Sequence, residues 1–237
     1  MLNKLLVTLL ASLFCYNVYA NDIYIDQVGD NLDLDITQDG QSNKIGTSLT
    51  DASLSGDNMT FSITQAGNTN EITAVISGNT YTGTWAFTGN SNTVDLLCDS
   101  IGSGNCDSVT LNITQTGDSN AYTINIGETA DAESATIAFT VTGDNNVINT
   151  DVNGTNADIT VVMNNSASLA TSSANADEGN QLDLTITGDG HSAGHSITLN
   201  ITGGGSTYTV TQSGVNDNTV NATFSGDSQD VNIIQSD

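Results

Sequence analysis

Three segments of this chain superimpose on one pattern. They are DLDITQDGQSN (Asp33 to Asn43), FSITQAGNTN (Phe61 to Asn70) and LNITQTGDSN (Leu111 to Asn120). Each reads apolar-x-Q-x-G-x-x-N. A short internal repeat constrains a fold more than any composition does, because one unit cannot bury its own apolar face and has to stack on its neighbours. A looser copy from Ile23, IYIDQVGDN, contributes Gln27 and Gly29. Another from Tyr208, YTVTQSGVNDN, contributes Gln212 and Gly214, and the last residues read VNIIQSD.

Other copies keep the strand and turn but replace the Gln. TWAFTGNSN has Phe87 there, IAFTVTGDNN has Val141 and LDLTITGDG has Ile186. A position that accepts Gln, Phe, Val or Ile reads as interior, with the amides hydrogen-bonded along a stack. Gly67 and Gly89 are 22 residues apart, which sets the period. Gly143 and Gly188, 45 apart, read as two such units. Gly89 and Gly117 are 28 apart, and the surplus falls where CDSIGSGNC lies. Cys98 and Cys106 therefore read as a disulfide stapling a loop inserted between two repeats. Two thiols without a nearby His make a poor metal set.

Within a unit, apolar residues recur at every second position, as at Leu34, Ile36 and Gln38, with Thr between them. That is a half-buried strand with β-branched outward residues. After the G-x-x-N turn a second alternating run follows, Ile72, Ala74, Ile76 or Tyr122, Ile124, Ile126. The expected fold is all-β: a β-solenoid of strand-turn-strand coils of about 22 residues, eight to ten of them, in a rod of roughly 40 Å at about 4.8 Å per coil. The chain has no proline, which suits unbroken ladders. Ser166 to Asn180 reads as a loop.

Residues 1–20 read as a secretory signal peptide, cleaved after Ala20. Lys4 precedes an apolar run from Leu5 to Phe14, with Val18 and Ala20 at the −3 and −1 positions. Acylation at Cys15 is the weaker reading, because Ser12 to Phe14 lack the small residues such a site wants. Residues 21–237 then form the repeat domain, with the stapled loop near 98–106. They carry Lys44 against 27 acids, a net charge of −26. That charge repels nucleic acid and anionic lipid, so neither nucleic-acid binding nor membrane insertion is expected.

The strand-Q-x-G-x-x-N-strand unit resembles the curlin repeat. Curlins are the subunits of curli, extracellular bacterial amyloid fibres. The resemblance implies a solenoid of two parallel sheets and roles in adhesion, aggregation and biofilm matrix. It also implies export across the outer membrane of a Gram-negative-type bacterium by a dedicated machinery, and polymerisation with like subunits at the cell surface or beyond. The ladder residues it implies are Gln38, Gly40, Asn43; Gln65, Gly67, Asn70; and Gln115, Gly117, Asn120. Gln27 with Gly29 and Gln212 with Gly214 match in part.

No catalytic constellation is legible, so no enzyme and no cofactor are expected. His191 and His195 beside Asp189 read as exposed turn residues, with a metal set as the alternative. Asp33 and Asp35, two apart on a strand, share one outward face. The Gly-Asp turns (Gly56-Asp57, Gly117-Asp118, Gly143-Asp144, Gly188-Asp189, Gly226-Asp227) read as one stacked, solvated edge, with weak Ca²⁺ binding as the alternative. Trp85 and Tyr81 read as core, with a sugar-binding pair as the alternative.

Two further functions compete with the fibre subunit. One is a monomeric solenoid binding a glycan or ice surface through Thr-x-Thr pairs (Thr140/Thr142, Thr185/Thr187, Thr209/Thr211); these pairs read as scattered. The other, a β-helix enzyme acting on polysaccharide, wants a longer chain and a cationic or paired-acid cleft.

Overall fold

The computed structural model describes residues 21–46, 51–67, 69–89, 91–98, 106–116, 119–127, 134–142, 145–153, 156–164, 179–187, 196–202, 205–213, 218–225 and 230–236. Every regular element among them is a strand. In chain order these are β1 (Asn21–Ile23), β2 (Asp26–Val28), β3 (Asp33–Asp39), β4 (Asn43–Ile45), β5 (Ala52–Ser55), β6 (Met59–Ala66), β7 (Glu71–Ser77), β8 (Thr80–Thr88), β9 (Ser91–Cys98) and β10 (Ser108–Thr116). There follow β11 (Ser119–Ile126), β12 (Ser134–Thr142), β13 (Asn145–Asn153), β14 (Ala157–Asn164), β15 (Gly179–Thr187), β16 (Ser196–Thr202), β17 (Gly205–Gln212), β18 (Thr219–Ser225) and β19 (Val231–Gln235).

The expected β-solenoid is the fold observed. The chain passes alternately through two parallel sheets, the first two passes through one of them being broken into β1 with β2 and β4 with β5, and strands pair with those one coil earlier and one coil later. The eight-stranded sheet runs β18-β16-β14-β12-β10-β8-β6-β3, and the other has eleven strands. Alternation along each strand sends one set of side chains into the space between the sheets and the other outward. In β10 the pattern is perfect: Val109, Leu111, Ile113 and Gln115 are buried and the residues between them are exposed.

Coil length varies more than the 22-residue period. It is 22 between register partners Thr60 and Thr82, and again between Thr136 and Asp158. It is 28 from Thr82 to Thr110, the coil that carries the two cysteines, and 38 from Asp158 to Ser196. Extra residues leave at turns and the next strand re-enters in register, because register is fixed by the buried face.

The interior is filled mainly by Ile, Val, Leu and Ala, with large rings in contact within it, Phe61 with Trp85, Phe87 and Phe139 with Tyr122, and Tyr208 with Phe224. Trp85 and Tyr81 are both fully buried, so they are core and not an exposed sugar-binding pair. The Trp85 indole packs edge-on against Phe61 and donates its N–H to the Phe61 carbonyl at 3.1 Å. Gly83, at the inward position between Tyr81 and Trp85, leaves room for the Tyr81 hydroxyl: a Cβ there would lie 2.9 Å from it. That hydroxyl makes no well-formed hydrogen bond, because the neighbouring Trp85 indole N–H is committed to the Phe61 carbonyl, and burial pushes the phenol far above its ordinary pKa. A buried, unpaired hydroxyl contributes nothing that a ring edge does not. Tyr81→Phe is accordingly expected to leave stability unchanged or raise it by up to about 1 kcal/mol in urea denaturation; a loss above that would reveal a partner for the hydroxyl.

Candidate functional site

The repeat residues build ladders along the rod axis. On the eight-stranded sheet one inward row contains Gln38, Gln65, Phe87, Gln115 and Val141 in successive coils. All are buried, as the tolerance for Gln, Phe or Val at this position predicts. Gln65 donates from Nε2 to Gln38 Oε1 at 2.7 Å, and Gln38 donates to the Lys44 carbonyl at 2.9 Å. Phe87 interrupts this chain of amides. Gln65 Oε1 then faces no donor. Gln115, deprived of a Gln on its neighbouring rung, donates to Asn92 Oδ1 at 2.6 Å and accepts the Tyr122 hydroxyl at 2.9 Å.

The turn asparagines form a second ladder. Asn70 donates to Asn43 Oδ1 at 3.1 Å, Asn92 to Asn70 Oδ1, and Asn120 to Asn92 Oδ1 at 3.1 Å. Asn43 also donates to the Gln38 and Ala66 carbonyls. All four side chains are buried. Buried amides of this kind are tolerable only when partnered, and the copy one coil away is the partner. Asn92 and the likewise buried Asn146 were missed in the sequence, although GNSN and GDNN carry the same G-x-x-N signal.

One expectation is corrected. Gln27 and Gln212 do not belong to the row of Gln38, Gln65 and Gln115. They lie on the eleven-stranded sheet, in an inward row that reads Gln27, Leu54, Ile76, Cys98, Ile126, Val152, Ile186, Gln212 and Gln235. Ile186 therefore substitutes for Gln in this second row. The physical reason is that both halves of a coil are a strand followed by a turn, so either sheet can host the motif. Gly143 follows β12 of one sheet and Gly188 follows β15 of the other, which is not a whole number of coils.

The glycines stack as two columns, one per turn. Gly40, Gly67 and Gly89 form one, and Gly29, Gly56 and Gly78 the other; every one has positive φ, from 133° to 158°. Gly117, Gly214, His191, His195 and Asp189 lie outside the described residues, as do the leader at 1–20 and residues 166–178 of the Ala/Ser-rich segment.

Of the five Gly-Asp turns only Gly56-Asp57, after β5 of the eleven-stranded sheet, lies within the described residues. Asp57 is more than a solvated acid. The Asp57 backbone N–H donates to Asp30 Oδ1 at 3.0 Å, and the Asn79 N–H to Asp57 Oδ1 at 3.0 Å. Each carboxylate thus caps the turn of the next coil. No group of metal-ligating side chains occurs among the described residues. Cys98 and Cys106 form the expected disulfide, Cα–Cα 5.9 Å, with both sulfurs in the buried interior. Lys44 pairs with its register neighbour Glu71 at 2.8 Å, and that carboxylate raises the ammonium's pKa.

Outward, the two sheets differ. On the eight-stranded sheet Thr60, Thr82, Thr110 and Thr136 align in four consecutive coils, and Thr88, Thr116 and Thr142 in three. Thr140 and Thr142 belong to this array, whereas Thr185, Thr209 and Thr211 lie on the other sheet. The expectation of scattered threonines is corrected: Thr185/Thr187 and Thr209/Thr211 sit on the neighbouring strands β15 and β17 with Thr185 opposite Thr211, and the larger array on the other sheet is revealed only by the register. Asp33 and Asp35 are exposed on β3, as expected.

Among the described residues neither end of the stack is covered by a further coil. At one end Val231 is 39 %, Ile233 41 % and Ile234 49 % exposed. Val231, Ile233 and Gln235 continue the inward rows of Tyr208, Val210 and Gln212, with no further coil over them among the described residues. At the other end Ile23, Ile25, Leu34 and Ile36 are only partly buried.

No protein-family profile, curated protein or solved structure matches this chain.

Proposed function

We propose that this protein is a secreted, non-catalytic structural subunit of curlin type, which polymerises end to end into extracellular fibres for adhesion, aggregation and matrix. The observation that carries this reading is the pair of open ends. Among the described residues each end presents an unpaired parallel strand edge and a cross-section of the apolar interior, the arrangement that invites another chain to add. A second copy stacked on β19 would extend the backbone ladder and the inward rows by one more coil at about 4.8 Å. Contact between one end and the other is heterologous, so it propagates as a filament and does not close.

The charge sets the conditions. Subunits of net charge −26 repel one another until salt screens them, with a Debye length of about 8 Å at physiological ionic strength and about 3 Å at 1 M. The purified chain in high salt is expected to give thioflavin-positive fibres with a cross-β reflection near 4.8 Å. Ile233→Asp, which places a carboxylate on the open end, is expected to block elongation while leaving the circular dichroism spectrum unchanged. A protein that stays monomeric and dye-negative across all salts would sink the fibre reading and leave a solitary solenoid.

A further inference from the structure

The acids are not spread evenly over this rod. Outward charges on the eleven-stranded sheet occur along much of its length: Asp22, Asp26, Glu71, Asp95, Asp151 and Asp183, with Lys44 among them. On the eight-stranded sheet they are confined to Asp33, Asp35 and Asp39 of the terminal strand β3 and to Asp158 of β14. The remaining six strands show solvent only Thr, Ser, Asn and Ala. Of the 27 acids ten lie in strands, and this sheet carries four of those ten, all on β3 and β14, so that its four neighbouring strands β6, β8, β10 and β12 form an uncharged field. A field free of like charge marks a surface that can come close to another copy of itself.

We infer that this face is a lateral docking surface for a second copy of the same chain, two rods lying face to face and antiparallel. Three features carry the assignment. The first is size. Eight strands at about 4.8 Å spacing, of seven to nine residues at about 3.3 Å, give a face of roughly 34 by 27 Å. That is on the order of 900 Å² per partner, the size of a standard stable interface at about 800 Å² per partner.

The second is chemistry. Thr gives a methyl to pack and a hydroxyl that both donates and accepts, so a Thr surface complements itself. The rung spacing is also identical on both rods, so rung meets rung along the contact, with hydroxyl rows broken by Ala86, Asn112, Ala138 and Val162. The third is the placement of the acids that remain. Parallel pairing would set the three aspartates of one β3 on those of the other. Antiparallel pairing sets them on β18, which carries no charge, and sets Asp158 of β14 over β8, which carries none either. The contact is isologous and closes at two rods. It goes beyond end-to-end growth and stands without it, because single soluble rods can pair.

The test uses freshly purified, thioflavin-negative chain in sedimentation equilibrium. Thr114 and Thr140 are exposed register partners at the centre of the face; Thr123 and Asn149 are exposed register partners on the opposite sheet. At salt that screens the net charge the wild type is expected to be a dimer. Thr114→Asp/Thr140→Asp should weaken association at least about 100-fold by setting four like charges together. Thr123→Asp/Asn149→Asp, with the same added charge, should leave the dimer intact.

Fibre growth is read separately by electron microscopy. Failure of all variants to grow fibres, with the dimer still responding to the face variant, refutes end-to-end growth and supports pairing. Fibres of the same width for wild type and face variant overturn the pairing. So does a wild type that is monomeric at every concentration and salt, or one that is monomeric and uses Thr114 and Thr140 to shape ice or to bind a neutral polysaccharide.

Discussion

Gly67→Ala is expected to cost more than about 3 kcal/mol, the sum of a backbone strain of about 1–3 kcal/mol and an overpacking cost of similar size. The backbone at Gly67 has φ of 138°, a region closed to L side chains. A methyl there would lie 1.4 Å from the Gly40 carbonyl oxygen of the coil before it, and 2.8 Å from Asn43 Oδ1. Neither neighbour is a flexible tip. The backbone of one turn rests directly on the backbone of the next, so relief requires the coils to part and the Asn ladder to open. Gly83→Ala is the control. There a methyl meets Leu111 Cδ1 at 2.6 Å and the Tyr81 hydroxyl at 2.9 Å, both ends of side chains that can shift, and φ is not in the left-handed region. A cost of about 1 kcal/mol is expected. Urea denaturation of the two variants decides the matter: equal costs would mean that the turns are not stacked on their glycines.

Gln65→Lys is expected to destabilise the chain by about 3–5 kcal/mol, and Thr64→Lys by no more than about 0.5 kcal/mol. The two residues are adjacent in β6, yet Thr64 is exposed and Gln65 fully buried. Lysine at 65 would bury an ammonium in the inward row between Gln38 and Phe87, where the Gln amide now donates to Gln38 Oε1 and the Glu71 carbonyl. The fold depresses the pKa of such a lysine, since burial disfavours its charged form. The penalty is therefore full at low pH. It falls as pH rises through the depressed folded value, and is gone above the unfolded value of about 10.4. A Gln65→Lys variant that stays as stable as Thr64→Lys at pH 7 would overturn the inward assignment of the Gln row.

Much of this was legible because the repeat records side-chain direction. Alternation at Leu34, Ile36 and Gln38 gave the inward face. Drift of one position among Gln, Phe and Val gave its burial, and the six extra residues near CDSIGSGNC gave the stapled loop. What was not legible was which sheet a copy occupies. Strand-turn chemistry is the same in both halves of a coil, so Gln27 and Gln212 look like Gln65 in sequence while lying across the core from it. The Thr face was hidden for a related reason. Thr82 and Thr110 are 28 residues apart, and Thr110 and Thr136 are 26 apart, so no fixed period aligns them. Register is restored by packing and not by counting. The turn aspartates were misjudged because a hydrogen bond from the next coil's backbone leaves no mark in the sequence around Asp30 or Asp57.

Each strand of this rod pairs only with the coil before it and the coil after it. A pull along the axis therefore meets no contact that spans the molecule. The load falls on one interface between coils at a time, and stability is a chain of nearly independent links more than a single cooperative whole. Such a rod yields in steps from its half-covered ends inward, lengthening by one coil's worth of chain at each step. The Cys98–Cys106 link would shorten the step at its own coil. A subunit that gives way gradually is a shock absorber: it can pay out length under shear and wind back, coil upon coil, on the part that stayed folded.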